Sequence, residues 1–360
     1  MRQDSAMELA VEQQAVPQRD VRTLPKAHLH LHFTGSMRPT TLLELAEKHR
    51  VRLPEALSKG TPPKLRATDE RGWFRFQRLY DTARSVLRDE QDIRRLVRET
   101  AEDEVADGSR WLEIQVDPTS YAPRLGGLIP ALELILDAVA EAAGSTGVGI
   151  RVLVAANRMK SPMDARTLAR LAVRYQDAGV VGFGLSNDER RGLARDFDRA
   201  FAIARRADLL AAPHGGELAG PESVRDCLDD LGAGRIGHGV RAAEDPRLMQ
   251  RLADRQVTCE VCPASNVALG VYEQAPAVPL RRLFEAGVPI ALGADDPLLF
   301  GSRLAAQYEL ARTVHGFSDA ELAELARQSV RGSRAPEWVR KELLGEIDTW
   351  LTKPGAAVGS

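Results

Sequence analysis

Cysteine is scarce in this chain, with Cys227, Cys259 and Cys262 as the three among 360 residues. A small, odd number of cysteines in a long chain argues against a disulfide scaffold and indicates a reducing compartment. Cys259 and Cys262 form a CxxC, but the sequence has no second pair to complete a four-cysteine zinc knuckle. Within VTCEVCP, the two cysteines are better explained as strand residues than as metal ligands.

Strong net charge and long apolar runs are also missing. The formal net charge of −2 implies no general affinity for nucleic acids or for an anionic membrane. No stretch reaches the roughly 18–20 apolar residues of a membrane span, and MRQDSAMELAVEQQAVPQRDVR at the start has no apolar signal core. We therefore expect a cytoplasmic protein, with residues 1–22 as a flexible leader and residues 352–360 as a flexible tail.

What the sequence does contain is a regular alternation of short apolar runs with longer segments of helical period. Intervening segments such as 163–179 and 279–287 end in glycine, a signal for a helix C-terminus. This alternation predicts an α/β protein with parallel strands: a single (β/α)8 TIM barrel over residues 23–351. An open doubly wound sheet is the alternative, but the first run is not followed by GxGxxG. The eight runs are 27–33, 110–116, 149–156, 180–185, 208–214, 235–239, 257–261 and 289–295.

The interval between the first two runs is too long for one helix, which predicts extra helices between strand 1 and strand 2. Within it, residues 70–80 present a wide apolar surface. A helix packed on the barrel rim would explain this surface, and so would a lid that covers the barrel mouth and excludes water. The apolar residues are Trp73, Phe74, Phe76, Leu79 and Tyr80.

Three histidines alternate in the first run, KAHLHLHFTGS. Side chains of a β-strand alternate between its two faces, so His28, His30 and His32 would project from the same face. Neighbouring members would lie roughly 6–7 Å apart, close enough for two imidazoles to bind one ion. A strand with polar residues on a solvated face is the other explanation.

Further ionisable residues follow later runs: His214 and Glu217 in PHGGE, His238 in GHG, and Asp295 and Asp296 in GADDP. Taken singly, each has an ordinary explanation, such as a strand cap or an Asp-Asp-Pro turn. In a barrel, however, the ends of strands 1, 5, 6 and 8 meet at one face, where active sites are built. Their joint position therefore predicts one site.

Three imidazoles and one carboxylate are a ligand set that suits Zn²⁺. Glu217 is near enough to the metal site to take part in catalysis without being a ligand. His238 lies on a different strand, where it is free to act as a base. A bridged two-metal site would need a barrel lysine near the fourth strand, and the chain has no lysine between Lys160 and Lys341. We therefore predict one Zn²⁺ per subunit. The assigned ligands are His30, His32, His214 and Asp295.

Five motifs together resemble the adenosine deaminase family of the amidohydrolase superfamily. They are LPKAHLHLHFTGSMRPTTLLELA, PHGGELAGPESV, RIGHGV, CEVCPASNVALG and GVPIALGADDPLLF, and they cover about residues 24–345 in order. The resemblance implies zinc-dependent hydrolysis of the 6-amino group of an adenine nucleoside, with release of ammonia. The same four residues would bind the zinc, which lowers the pKa of a water toward about 7 for attack at purine C6.

The resemblance also implies roles for the residues around the metal. Glu217 would protonate purine N1 and later carry a proton toward the leaving ammonia. His238 would orient the attacking hydroxide, and Asp296 would hydrogen-bond purine N7. LSNDE matches the segment whose backbone N–H meets purine N3, with Asn187 in place of the usual glycine. The predicted substrate-binding residues are His32, Thr34, Asn187 and Asp296.

Departures from the family pattern bear on the substrate. Thr34 stands where an aspartate usually receives the ribose 5′-hydroxyl, and losing that partner relaxes the choice at the 5′ end. Gln115 stands where an arginine is common. His28 stands where an acidic residue is common, and we interpret it as a satisfied core histidine. These changes favour a 5′-modified adenosine such as 6-amino-6-deoxyfutalosine of menaquinone biosynthesis; the alternatives are adenosine or deoxyadenosine of purine salvage, and adenine.

A 5′ chain that carries a carboxylate would need a cation near the barrel mouth. Arg38, Arg71, Arg75 and Arg78 are the candidates, unless they form a solvated helix face. Two other functions remain open, namely amide or ester hydrolysis at the same metal site and a catalytically inactive binding protein. The expected partner is a small purine nucleoside, with no nucleic acid or membrane, and the sequence leaves the oligomeric state open.

Overall fold

Eight parallel strands follow one another around the sheet in chain order in the computed structural model, which describes residues 18–59 and 69–353. The first and last strands meet at a bridge between Leu31 and Asp295. There the His32 N–H donates to the Asp295 carbonyl and the Asp295 N–H donates to the His30 carbonyl, each at 3.0 Å. The predicted (β/α)8 barrel is confirmed. Its strands are β1 (Lys26–His32), β2 (Ser109–Val116), β3 (Gly149–Asn157), β4 (Val180–Ser186), β5 (Leu210–Gly215), β6 (Arg235–His238), β7 (Thr258–Val261) and β8 (Ile290–Leu292).

Helices surround the barrel and connect consecutive strands. Helices α1 to α4 all lie between β1 and β2, which confirms the extra helices predicted for that interval. The helices are α1 (Pro39–Lys48), α2 (Glu55–Ser58), α3 (Glu70–Arg84), α4 (Glu90–Ala106), α5 (Leu128–Thr146), α6 (Pro162–Arg174), α7 (Asp198–Arg206), α8 (Pro221–Asp229), α9 (Pro246–Asp254), α10 (Pro263–Ala268), α11 (Leu280–Glu285), α12 (Pro297–Phe300), α13 (Leu304–Thr313), α14 (Asp319–Gly332) and α15 (Glu337–Thr352).

Local sequence accounts for many of the helix ends. Helix α4 begins with a capping box, in which the Asp89 side chain accepts from the Asp92 N–H and the Asp92 side chain reaches back. Ser318 and Glu321 form the same box at α14. Such pairs satisfy backbone donors that the first helical turn leaves free. Helix α5 ends at Gly147, whose φ of +77° is easily adopted only by glycine.

The predicted boundary of the flexible leader differs from the point at which the chain begins to pack on the barrel. Residues 1–17 and 354–360 lie outside the described residues, so most of the predicted leader and tail carries no structural description. Val21, which falls within the predicted leader, is buried. The Arg19 guanidinium donates to the Leu351 carbonyl at 2.8 Å. Residues 18–22 therefore pack against α15, because the apolar side chain is buried and the arginine satisfies carbonyls at the end of that helix.

The structure also describes the two CxxC cysteines and the helices in which a membrane-spanning segment would lie. Cys259 lies within β7 and Cys262 immediately follows it, both buried with free thiols. Burial raises the pKa of the Cys259 thiol to about 12, so this residue stays protonated. Among the described residues, no helix combines the length and the apolar character that a bilayer-spanning segment needs.

Candidate active site

The predicted site residues meet at one end of the barrel. His30 and His32 lie near the end of β1, His214 lies in β5, His238 is the last residue of β6, and Asp295 follows β8. All but His32 are buried, and His32 is partly exposed toward the cavity it lines. The strand order therefore brings together residues that are up to 265 positions apart in sequence, 295 minus 30.

The four predicted metal ligands lie at distances that suit a tetrahedral ion. His32 Nε2 is 3.2 Å from His214 Nε2 and 3.2 Å from Asp295 Oδ1, and His30 Nε2 is 3.7 Å from the same oxygen. Four ligands at about 2.0–2.2 Å from a zinc ion in a tetrahedron are separated by about 3.3–3.6 Å. These three separations are compatible with one ion, and His30, His32 and His214 together form a group of possible ligand atoms within 4.8 Å of one another.

The environment of His30 also favours a cation. Its Nδ1–H donates to Glu260 Oε2 at 2.7 Å, which leaves the Nε2 lone pair directed at the other ligands. Nε2 has no hydrogen-bond partner among the described residues. Burial alone lowers the pKa of His30, but the nearby carboxylates of Asp295 and Glu260 outweigh it and raise the pKa to about 10. Positive charge is thus stabilised where the metal would lie.

Asp295, one of the predicted ligands, is held in its ionised form. Burial alone raises the pKa of its carboxyl, but hydrogen bonds from His30 and His32 outweigh that effect and hold the pKa well below its usual range. The Ser265 hydroxyl donates to Asp295 Oδ2 at 2.5 Å, so that Oδ1 faces the histidines. Its backbone φ of +61° lies in the left-handed region, a strain that is common at functional sites. In contrast, burial raises the pKa of the neighbouring Cys262 thiol well above its usual range, so this cysteine is a poor ligand.

Glu217 is placed as an acid beside the ligand cluster. Its carboxylate Oε1 lies 3.5 Å from His238 Nε2 and has no hydrogen-bond partner among the described residues. The Glu189 carboxylate accepts from the backbone N–H groups of Gly216 and Glu217, each at 2.9 Å, and so fixes the loop that carries Glu217. Burial, reinforced by the charges of Asp295 and Glu189, raises the pKa of Glu217 well above its usual range. The raised pKa favours the protonated form of Glu217, which can donate a proton into the cavity.

His238 and Asp296 complete the polar wall. Burial and the charge of His30 lower the pKa of His238 to about 3, so its imidazole is neutral. Burial and the charge of Asp295 raise the pKa of Asp296 well above its usual range. Asp296 Oδ1 has no hydrogen-bond partner among the described residues. The site therefore offers a neutral imidazole and two carboxyl groups that favour the protonated form, next to one ionised carboxylate ligand.

These polar groups open into a cavity that spans about 730 Å³ when the part open to solvent is included. Helix α3 forms part of its wall and also packs on the barrel, since Phe76 stacks on Phe300 with ring centroids 5.8 Å apart. Phe74 differs from its aromatic neighbours and is exposed, because it lies on the opposite face of α3. The predicted packing of this helix on the barrel rim therefore accounts for its apolar surface, and its role as a lid that excludes water stays a prediction. Its cavity-lining residues are Trp73, Phe76, Gln77, Tyr80 and Arg84.

Comparison with known proteins identifies the family. A family model described as adenosine deaminase matches residues 25–350. The chain belongs to the adenosine deaminase family. This family member is 80% identical over 337 residues to a "Putative adenosine/adenine deaminase" of Streptomyces coelicolor, an alignment that covers 92% of this chain and 98% of that protein.

Solved structures agree with this assignment. The adenosine deaminase family member is similar to an adenine deaminase from Arthrobacter aurescens, with 31% identity and a TM-score of 0.83 over 91% of this chain and 99% of that chain. An amidohydrolase from Burkholderia ambifaria with bound Zn shares the fold, with a TM-score of 0.82 at 23% identity over 93% of this chain and 97% of that chain. The protein is a hydrolytic deaminase of the amidohydrolase superfamily.

The structure of this adenosine deaminase family member places Thr34 behind the cavity wall, which differs from the expected direct contact with a substrate. Thr34 is fully buried. Its Oγ1 lies 2.6 Å from the Tyr121 hydroxyl, and Tyr121 lines the cavity in its place. Burial raises the pKa of Tyr121 to about 12, so a neutral hydroxyl faces the ligand space. Gln115 does line the cavity, with Nε2 3.4 Å from His30 Nδ1.

Asn187 lines the cavity and connects two of its walls. Its φ of +83° explains why a glycine would be easier at this position. The side chain uses both of its polar atoms: Oδ1 accepts from Trp73 Nε1 at 3.2 Å and Nδ2 donates to Gln77 Oε1 at 3.2 Å. The asparagine therefore ties the segment after β4 to α3, a contact that glycine cannot make.

None of the four arginines proposed as anion contacts lines the cavity. Arg38 forms ion pairs with Glu102 and Asp103 of α4, each at 2.9 Å, whereas the other three lie on the exposed face of α3. Arg84 lines the cavity instead. It continues the helical spacing of Trp73, Phe76 and Tyr80 by one more turn, a periodicity that the sequence contains. The three exposed residues are Arg71, Arg75 and Arg78.

His28 lies outside the ligand cluster. Its Nδ1–H donates to Glu104 Oε1 at 2.8 Å, and its Nε2 accepts from the Ala294 N–H at 3.0 Å. Both ring nitrogens are thus engaged within the barrel, as a core histidine requires. The residues that support the site and that sequence reasoning missed are Tyr121, Glu189, Glu260, Ser265 and Asn266. The polar pair Ser265-Asn266, shortly after the strand residues VTCEV (257–261), was the available signal for the last two.

Gly35 is required by the close approach of Asp296. A Cβ on Gly35 would lie 1.8 Å from Asp296 Oδ1 and 2.7 Å from its Cα, so movement of the side chain alone could not relieve the clash. We expect Gly35→Ala to lower the free energy of unfolding by about 1–3 kcal/mol and to displace Asp296. Thermal unfolding and kcat/KM test this, with Gly345→Ala as a control, since its added Cβ meets nothing within 4 Å. Unchanged stability and unchanged kcat/KM would contradict the proposed packing.

Proposed function

We propose that this protein is a zinc-dependent enzyme that hydrolyses the 6-amino group of an adenine compound and releases ammonia. The observation that carries the proposal is the buried acid Glu217 in the cavity that His32, His214 and Asp295 also line, next to a group of three histidines that could hold a metal ion. The relatives named adenosine/adenine deaminase and adenine deaminase support the same reaction class. The proposed metal ligands are His30, His32, His214 and Asp295.

The chemistry follows from the protonation states around the cavity. When bound by these ligands, Zn²⁺ lowers the pKa of a water toward about 7 and supplies a nucleophile at neutral pH. Protonated Glu217 would donate to purine N1, so that negative charge does not build up on the ring. The resulting carboxylate would take the proton of the new C6 hydroxyl and pass it to the amino group, which leaves as ammonia. Neutral His238 accepts a hydrogen bond from the attacking water and orients it. Asp296 donates to purine N7, which requires the protonated carboxyl that its raised pKa favours.

The preferred substrate that we propose is a 5′-modified adenosine with an anionic chain, such as 6-amino-6-deoxyfutalosine. The observations that support this substrate come from a second space, outside the cavity described above. This outer cavity of about 750 Å³, part of it open to solvent, shares Trp73, Gln77 and Arg84 with the first. Three cations and two carboxylates line it, so it offers room and an excess of one positive charge for a substituent on the purine; they are Arg84, Lys160, Arg191, Asp81 and Asp188. Adenosine, deoxyadenosine and adenine are the alternatives, of which adenine has the support of the Arthrobacter neighbour's name.

Arg84 is the best placed of these cations. It lies between the two cavities, donates to Ser120 Oγ at 2.8 Å, and lies 3.4 Å from Asp81 Oδ1. Its buried Nε has no hydrogen-bond partner among the described residues. By comparison, Lys160 Nζ lies 3.5 Å from Asp117 Oδ2, and Arg191 pairs with Glu70 at 3.0 Å. A carboxylate that reaches Arg84 would thus find a donor that the protein leaves unused.

A substrate panel tests the proposal. Ammonia release by the purified, zinc-loaded protein is measured with adenine, adenosine, 5′-methylthioadenosine and 6-amino-6-deoxyfutalosine. We expect the highest kcat/KM with the last compound, because it alone in the panel carries an anionic 5′ chain. If adenine or adenosine is preferred, the outer cavity does not select the substrate. If no compound is deaminated, the proposed reaction itself is wrong.

Arg84→Gln should selectively weaken recognition of the anionic substrate. A charge-assisted hydrogen bond contributes about 1.5–3 kcal/mol, so KM for an anionic 5′-substituted adenosine should rise roughly ten-fold or more, with KM for adenine little changed. Arg78→Gln is the matched control, because Arg78 lies on the exposed face of the same helix. An equal effect of Arg84→Gln on charged and uncharged substrates would show that Arg84 does not contact the anion.

A further inference from the structure

Charged side chains continue from the metal-ligand cluster toward the opposite end of the barrel. The interior of a (β/α)8 barrel is usually filled by layers of branched apolar residues. Here Glu113 of β2, Arg235 of β6 and Glu260 of β7 occupy it, each at most 1% exposed. The proposed reaction uses none of the three, and burying three charges is costly unless each is paired.

The three side chains form an unbroken series of short contacts that begins at His30. Glu260 accepts from His30 Nδ1 at 2.7 Å through Oε2 and from Arg235 Nε at 2.6 Å through Oε1. Arg235 Nη1 donates to Glu113 Oε2 at 2.6 Å. Glu113 Oε1 in turn accepts from Trp111 Nε1 at 2.9 Å and from the Arg334 N–H at 2.5 Å. The series therefore links a proposed metal ligand to the loop after α14.

Each hydrogen bond in the series fixes the orientation of the next side chain. An ionised carboxylate is an acceptor only, so Glu260 requires the His30 proton on Nδ1 and leaves Nε2 free for a metal. Arg235 compensates the charge of Glu260 within the barrel, and its planar guanidinium fixes the angle at which that carboxylate approaches the imidazole. Glu113 holds the guanidinium from its other side. The three residues together carry one net negative charge, which favours a cation at His30.

We propose that Glu113, Arg235 and Glu260 form a buried charge relay that positions His30 and sets how tightly the four-ligand site holds its metal ion. The relay residues act through His30 and do not touch the substrate. This inference rests on the proposed metal site. It predicts that the affinity for zinc depends on residues at the far end of the barrel, well away from the ligands.

The chain contains a matched control for this relay. Glu104 and His28 form a second carboxylate–imidazole pair, with Oε1 2.8 Å from Nδ1 and both side chains buried. His28 lies on the same strand as His30, but its Nε2 is engaged by the Ala294 N–H. Loss of the Glu104 carboxylate thus perturbs a buried carboxylate–imidazole hydrogen bond of the same type that is not directed at the metal.

The experiment compares Glu260→Gln, Arg235→Met, Glu113→Gln and the control Glu104→Gln in the full chain. The zinc dissociation constant is measured by competition with a chelator, and thermal unfolding is recorded in parallel. We expect Glu260→Gln and Arg235→Met to weaken zinc binding about 10–100-fold, the range for such supporting partners, and Glu113→Gln to have a smaller effect in the same direction. Glu104→Gln should lower the unfolding temperature with zinc affinity unchanged.

Several outcomes decide the proposal. Unchanged zinc affinity in folded Glu260→Gln overturns it, and so does an equal loss of affinity in Glu104→Gln. If Arg235→Met fails to fold, Arg235→Lys keeps the charge and removes the planar fork, and its zinc affinity must still fall. Zinc binding is measured without substrate, so a negative substrate panel leaves the relay testable. Failure of the unaltered protein to bind zinc would instead refute the metal site of the proposed function.

Discussion

Glu217→Gln is expected to lower kcat for deamination by at least about 10²-fold, the usual contribution of a general acid, while the protein keeps its zinc. Glutamine preserves the shape of the side chain and its backbone contacts with Glu189. It cannot deliver the proton that purine N1 requires. Ammonia release and metal content are measured on the same preparation, with Glu222→Gln in the exposed first turn of α8 as a control.

The pH dependence gives a second readout of the same residue. The acid form of Glu217 is present below its raised pKa and is lost as the pH rises through that value. The kcat/KM of the unaltered protein should therefore fall on the alkaline side as Glu217 ionises, and Glu217→Gln should lack this limb. A near-normal rate in the variant, or an identical pH profile, would show that another group supplies the proton.

Removal of one metal ligand should have a still larger effect. His214→Ala deletes the imidazole whose Nε2 lies 3.2 Å from His32 Nε2 and leaves three of the four proposed ligands. A bound metal contributes several kcal/mol to stabilising the transition state, so we expect kcat/KM to fall at least about 10³-fold. Chelation of the unaltered protein should produce the same loss, reversed by added Zn²⁺.

Metal content and a control variant separate this loss from general damage. Zinc measured by elemental analysis should be substoichiometric in His214→Ala and close to one per chain in the unaltered protein. His49→Ala is the control, since His49 pairs with Asp92 at 2.7 Å outside the barrel mouth. Activity that persists in zinc-free protein would refute the proposed ligand set.

The two proposed ligands on β1, His30 and His32, show what a local sequence pattern can predict. Alternation along one strand places His30 and His32 on one face whatever surrounds them, because side chains of a strand have a period of two. The positions of His214, His238 and Asp295 at the ends of later apolar runs followed from the rule that strand ends of a barrel share one face. These inferences needed only the backbone geometry of regular elements and the order of the strands.

The same reasoning could not predict the positions of the Thr34 and Arg84 side chains. Thr34, two residues after the predicted ligand His32, was expected to face the substrate. A short 3-10 turn after β1 instead directs Thr34 inward, where it meets Tyr121 from the segment after β2. The arginine that reaches the cavity depends on how α3 is rotated against Phe300, a contact with a residue 224 positions away, 300 minus 76. Neither the turn nor the rotation is encoded by a local pattern.

The sequence by itself determined the eight strands, the extra helices after the first and the set of ionisable residues at the barrel mouth, because apolar period and strand order depend on neighbours along the chain. Only the tertiary structure decided which face of α3 covers the cavity and that Asn187 joins it to β4. It also brought Glu113, Arg235 and Glu260 into one series, from β2, β6 and β7. Contacts across a barrel depend on strand register and closure, and these are set by the packing of the whole chain.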